Sequence, residues 1–409
     1  MKIPNRWGLA LAMIIFVGLA GCGKKEEPPA PAPAAQPEVT VKIGHAAPLT
    51  GPQAHLGKDN ENGVRLAIDE LNAQGLEIGG AKVKFELLSE DDQADPKTGT
   101  LVAQKLIDAK VSGVIGHLNS GTTIPASKLY NDAGIPQISP SATNVTYTQQ
   151  GFNTAFRVMA HDGQQGKVLG EFAVAKLGAK KIAIIDDRTA YGQGLADEFE
   201  KAVKGAGASV AAREFTNDKA TDFMAILTKI KGKRPDLVFY GGMDAQAGPL
   251  AKQLKSLGIK AKLLMGDGGS TPEFVKLAGD GAEGAYSSLP GVPLAKMPGG
   301  QAFGDKFTAK YGQIQLYAPY CYDAVYVMVE AMKKANSTEP AKYLPELAKI
   351  AYKGVTADIG FDDKGDIKGG AITLYQVKDG KWEVLETIGG AAPESAPAPA
   401  AADGAAKTQ

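Results

Sequence analysis

Apolar residues along this chain alternate between two periods. Val39, Val41 and Ile43 recur at every second position, as a half-buried strand requires, and a Gly51-Pro52 turn follows. Val64, Ile68 and Leu71 then recur at helical spacing, and Val83, Phe85 and Leu87 return to period two. The alternation continues with a helix around Val102, Leu106 and Ala109, a strand at 111–115, a short helix after Thr123 and a strand at 135–138. It then restarts. A buried strand is predicted at 181–186, a helix face at Leu195, Phe199 and Val203, strands at 236–240 and 262–265, and a helix from Thr271. Helices around Phe303 and over 322–332 precede a hairpin with arms at 372–377 and 382–388, where Asp379-Gly380 favours a tight primed turn. Strands alternating with helices predict an α/β fold with mostly parallel open sheets, and the restart predicts two of them in succession.

The ends of the chain do not share this pattern. Lys2 and Arg6 precede an apolar run from Trp7 to Leu19, which closes in Leu19-Ala20-Gly21-Cys22. That run has roughly 13 apolar residues, short of the ~20 that span a bilayer. Residues 1–21 are therefore expected to be a lipoprotein signal peptide, with Cys22 the acylated first residue of an exported protein. The mature protein would be anchored by that lipid at the periplasmic or cell-surface face. Residues 22–38 and 389–409 are rich in Pro and Ala and are expected to be extended tethers, because they bury too little to offset their ordering entropy. The roughly 350 residues between them exceed what one core serves and favour two domains.

Charge and cysteine content narrow the classes further. With 45 basic and 45 acidic residues the net charge is zero, which argues against a nucleic-acid partner. The chain has 2 cysteines, and acylation of Cys22 leaves Cys321 unpaired. Cys321 lies among Tyr317, Tyr320 and Tyr322, and is expected to be a buried small thiol. The sequence meets no catalytic or metal signature. Gly51 to Lys58 departs from a phosphate loop, and Gly192-x-Gly194 lacks the third glycine of a dinucleotide fingerprint. The four histidines have no metal-ligand spacing, no Gly-x-Ser-x-Gly elbow occurs, and Phe361 to Asp366 reads as a turn with solvated charges. The chain is accordingly expected to be no enzyme and to need no metal or cofactor.

Open α/β sheets bind ligands at the carboxyl ends of their strands, so the segments just after strands are the candidates. Gly116 to Thr123 and Ser139 to Asn144 each place hydroxyls and free backbone amides at the start of a helix, a ready carboxylate site. Taken singly, Ser120 and Thr143 read first as plain N-caps. Asp186 to Gly192 brings an aromatic, Tyr191, to a strand end. Gly266-Asp267-Gly268 brings a carboxylate that suits an ammonium group or an Asx turn equally.

Gly44-His45-Ala46-Ala47-Pro48-Leu49-Thr50-Gly51, Asp91 to Pro96, Val114 to Ser120, Asp187 to Gly194 and Tyr240-Gly241-Gly242 together resemble the leucine/isoleucine/valine-binding proteins. Those are type I periplasmic binding proteins of branched-chain amino-acid ABC transporters. The likeness runs in order from about Val39 to Ile388. It implies two Rossmann-like lobes joined by a three-crossover hinge, with lobe 1 formed by 39–161 and 291–368 and lobe 2 by 162–290 and 369–388. It also implies a monomer that closes on a small ligand and delivers it to a permease. Carried over residue by residue, it assigns the ligand carboxylate to Ser120 and Thr143. The ammonium goes to the Ser141 carbonyl, the Thr143 hydroxyl and Asp267. Tyr191 and Tyr317 match aromatic positions of the side-chain pocket, whereas Leu56 and Met243 stand where familiar members place tyrosines. A branched-chain or other aliphatic amino acid is the expected ligand. The same fold binding another small carboxylate or amide, or serving as a sensing lobe, is the alternative.

Overall fold

In a computed structural model, the described residues are 37–390. The signal segment, Cys22, nearly all of the first tether and all but the first two residues of the C-terminal tail lie outside them. The chain opens with β1 (Glu38–Ala47), α1 (Ala54–Gln74), β2 (Glu77–Ile78), β3 (Ala81–Asp91), α2 (Pro96–Asp108), β4 (Gly113–Gly116), α3 (Ser120–Asp132), β5 (Gln137–Ser139) and β6 (Ala155–Arg157). These strands form one sheet in the order β2-β3-β1-β4-β5-β6, parallel except for the short β2. The second half of β1 is buried at every residue, which is why its alternation fades after Ile43.

The chain then enters a second series: α4 (Asp162–Ala175), β7 (Lys181–Asp186), α5 (Ala190–Gly205), β8 (Ser209–Phe215), α6 (Met224–Lys233), β9 (Leu237–Gly241), α7 (Asp244–Ser256), β10 (Lys262–Met265), α8 (Pro272–Ala278) and β11 (Tyr286–Leu289). It returns to the first lobe as α9 (Gly300–Tyr311), α10 (Ala318–Lys334) and α11 (Pro340–Ala348), with a small pair β12 (Tyr352–Lys353) and β13 (Asp358–Ile359). It crosses once more to end in β14 (Ala371–Lys378) and β15 (Lys381–Gly389). The second sheet runs β15-β14-β11-β10-β9-β7-β8, parallel from β11 to β8, with the hairpin added antiparallel. Asp379 and Gly380 both take positive φ, as a primed turn demands.

Two glycines permit the packing that shapes the cleft. On α1, a Cβ at Gly63 would lie 2.4 Å from the Ala318 carbonyl, so α10 approaches α1 only over bare backbone. At Gly192, a Cβ would lie 2.4 Å from the Gly241 carbonyl, which lets the start of α5 seat against the end of β9.

Two expectations are corrected. The helix expected after Thr123 begins at Ser120, because the Asn119 carbonyl already accepts the amides of Thr122 and Thr123. The 361–366 segment does turn at the exposed Asp363 and Lys364, but not all of its charges are solvated. Asp362 ties it through the amides of Lys364 and Asp366, while Asp366 is buried against Arg157 at 2.5 Å. Elements with weak periodicity, among them β6, β8, β11, α4, α6, α7 and α11, carry no clear signal in the sequence. Cys321 is buried and unpaired, and burial pushes its thiol well above the usual range, as fits an inert core residue. No helix among the described residues is long and apolar enough to cross a membrane.

Candidate functional site

The carboxyl ends of both sheets face one another, and between them lies a small, tightly closed cleft. It is lined by Leu118, Asn119, Ser120 and Ser141 from the first lobe, Tyr191, Met243 and Asp267 from the second, and Tyr317 at the start of α10. Ser120, Ser141, Tyr191, Met243, Asp267 and Tyr317 of the expected set therefore meet here. Thr143 and Leu56 do not line the cavity. Leu56 is fully buried in the first turn of α1, within the main hydrophobic cluster.

On the first lobe the site is built from a helix N-terminus and a braced loop. Asn119, not Ser120, is the N-cap of α3, and no side chain caps the helix, so the amides of Ser120 and Gly121 are left for an anion. The Ser120 hydroxyl accepts the Asn144 amide at 3.2 Å, and the Ser141 hydroxyl donates to the Leu118 carbonyl at 3.1 Å. Neither Ser120 nor Thr143 is an N-cap, which removes the plain capping reading of both. Thr143 is fully buried, and its hydroxyl has no hydrogen-bond partner of ordinary geometry among the described residues. Its backbone is fixed from both sides, since Arg157 Nη1 donates to the carbonyls of Ala142 (3.0 Å) and Asn144 (2.8 Å).

On the second lobe Asp267 follows β10 in a short 3-10 turn, and its side chain makes no Asx turn. Its Oδ1 accepts from Tyr191 Oη (2.9 Å) and Gln165 Nε2 (3.0 Å), and its Oδ2 from Tyr317 Oη (2.6 Å). Burial raises its pKa, and these three bonds oppose the rise. Tyr317 is positioned from afar. Asp59 on α1 accepts the amides of Gln315, Leu316, Tyr317 and Ala318 at 2.8–3.0 Å, capping α10 with a carboxylate from another helix.

A second carboxylate was missed by sequence reasoning. Asp162, the first residue of α4, is wholly buried with neither oxygen in a hydrogen bond of ordinary geometry, and burial and the charge of Asp267 push its pKa up to about 8 against the opposing pull of the Thr143 hydroxyl. Its amide donates to the Thr143 carbonyl at 2.8 Å. Nothing in Ala160-His161-Asp162-Gly163 singles it out, since the segment reads as a helix start, and His161 indeed caps α4. Two buried carboxylates without a cation, opposite free amides and hydroxyls, complement a zwitterion. No cluster suited to a metal ion occurs among the described residues.

Comparison with known proteins agrees with this architecture. The family model described as periplasmic binding protein matches residues 40–381. The Leu/Ile/Val-binding protein homolog 1 of Brucella abortus is 37% identical over 352 residues, covering 85% of this chain and 93% of that protein. The leucine-, isoleucine-, valine-, threonine- and alanine-binding protein of Pseudomonas aeruginosa is 35% identical, covering 82% and 90%. Among solved structures, the branched-chain amino acid transporter substrate-binding protein of Streptococcus pneumoniae in complex with isoleucine superimposes with a TM-score of 0.78. It is 30% identical and covers 86% of this chain and 100% of that one. With two α/β lobes meeting over a buried cleft and this match along nearly all of the described residues, the chain belongs to the periplasmic binding protein family.

Proposed function

We propose that this protein is the substrate-binding component of an ABC importer and that its cleft takes a free aliphatic amino acid. One observation carries the reading: the buried carboxylate of Asp267, held only by neutral donors, lines the cavity across from the N-terminus of α3, with Asp162 buried beside Thr143. The ligand carboxylate would sit at the Ser120 end with the Thr143 amide and hydroxyl, and its ammonium near the Ser141 carbonyl and Asp267. Met243 and the aromatic faces of Tyr191 and Tyr317 would surround the side chain. Leu56 would act from behind the pocket wall. The role is binding and delivery to a permease by a monomer, with hinge crossovers near 161–162, 290–291 and 368–369.

Selectivity then follows from lining chemistry. An aliphatic ligand gains roughly 0.8 kcal/mol per buried methylene, while neighbouring methylenes are discriminated by only ~1 to 3 kcal/mol. In a calorimetric competition, leucine, isoleucine and valine are expected to outrank alanine, and glutamate to bind poorly because a third carboxylate would enter an already acidic site. Victory for glutamate, or for a ligand without an α-amino group, would replace this reading by a carboxylate binder of the same fold.

Export with a lipid anchor at Cys22 completes the proposal, supported by the basic, apolar and Leu19-Ala20-Gly21-Cys22 succession. Mass spectrometry of the mature protein is expected to find an acylated N-terminal Cys22. An unmodified N-terminus elsewhere excludes the anchor.

A further inference from the structure

We propose that His55 and Asp244 form an interlobe latch, a pair of positioning residues that touches no ligand yet sets affinity by holding the two lobes together. The proposal rests on the reading that the cleft closes on a small ligand. His55 lies in the first turn of α1 on one lobe and Asp244 opens α7 on the other. Their Nε2 and Oδ2 atoms are 2.7 Å apart.

Each partner is anchored in its own lobe. Asp244 is fully buried, its Oδ1 accepts the Ala245 amide at 2.7 Å, and its Oδ2 accepts the Thr271 hydroxyl at 2.6 Å as well as His55. Thr271 caps α8 through the Phe274 amide and accepts Trp382 Nε1 on its carbonyl, so the carboxylate belongs to a stiff part of its lobe. On the opposite lobe Gln53, two residues before His55, accepts Asn119 Nδ2 at 2.7 Å, tying the start of α1 to the loop that lines the cavity. Met243, the neighbour of Asp244, lines that cavity too. Opening the lobes would separate His55 from Asp244 and leave that carboxylate with only its neutral donors, Ala245 and Thr271, and no counter-charge.

The imidazole faces acceptors only. Burial alone would lower its pKa, but Asp244 on α7, Glu273 on α8 and the Pro52 carbonyl outweigh that and raise it above 6.5. The closed form therefore holds the His55 proton more tightly than an open form in which the ring meets water. The latch contribution is complete below about pH 6.5 and is lost as pH rises through the closed-form value. Asp162 and Asp267 act with the opposite sign, since an ammonium ligand favours their ionised forms and binding through them strengthens as pH rises. The difference between wild type and a His55 variant isolates the latch.

Leucine is titrated by calorimetry into wild type, His55→Gln and Asp244→Asn between pH 5.5 and 8.5. At pH 6 both variants are expected to bind about tenfold more weakly than wild type, and the gap to close to about twofold at pH 8.5. A gap that is absent, or constant across the range, overturns the latch. Pulsed electron resonance between one spin label per lobe gives the closed fraction of ligand-free protein. That fraction is expected to fall in His55→Gln at pH 6, and equal fractions in the two proteins count against the latch. Failure of wild type to bind leucine overturns the amino-acid reading instead, while the closed fractions still decide the latch. His55 is partly exposed, so its variant folds even if Asp244→Asn does not.

Discussion

Asp267→Asn is expected to weaken amino-acid binding by about 2 to 4 kcal/mol, roughly 30- to 1,000-fold, while ligand-free protein melts within a few degrees of wild type. The two effects differ because the carboxylate has different partners in the two states. Without ligand, Asp267 is held by three neutral donors in a site whose burial raises its pKa, so its charge is tolerated rather than stabilising. With ligand, the same carboxylate meets a desolvated ammonium, and the charge-assisted bond is lost in the amide. Calorimetry paired with thermal melting separates the two quantities. Equal affinity in both proteins would remove Asp267 from the site, and a melting loss as large as the binding loss would make it structural.

Asp162→Asn is expected to do something less usual: to raise the stability of the ligand-free protein at alkaline pH while lowering affinity. The folded pKa of Asp162 is raised to about 8, from an unfolded value near 3.9. Between those values the folded state binds the proton that the unfolded state has lost. This group's contribution is therefore complete below about pH 4 and declines as pH rises toward 8. The amide cannot ionise, so it escapes that decline. At pH 8 a gain of roughly 1 to 3 kcal/mol is expected, seen as a melting rise of roughly 2 to 6 °C, shrinking toward zero at about pH 4. Saturating ligand should reverse the order of the two melting temperatures at pH 8, because only wild type gains the ammonium contact. A melting difference independent of pH would show that Asp162 does not titrate with folding.

How much of this was legible in the sequence depends on the kind of signal. Ile182 to Ile185 and Leu237 to Tyr240 are unbroken apolar runs in the middle of a parallel sheet, and such strands announce themselves. β6 has three residues and ends in Arg157, a charge that reads as exposed, yet it is fully buried because Asp366 neutralises it from 209 residues away. No local pattern reveals that. The site divides in the same way. Ser120, Ser141, Tyr191 and Asp267 follow strand ends, where the fold class directs attention. Tyr317 and Met243 came only through a family resemblance. Asp162 and Asp59 act through partners distant in the chain, and their neighbours look like ordinary helix residues.

Arg157 and Asp366 also bear on the order in which the protein is made. The pair joins the strand that finishes the first sheet to a segment near the end of the chain, and β14 completes the second sheet by pairing with β11. Each lobe thus waits for residues far downstream of its first strands, and contacts of such long range slow folding because loop closure precedes any reward. A ribosome-bound chain that has not yet reached Asp366 holds two unfinished cores, not one finished lobe and one missing.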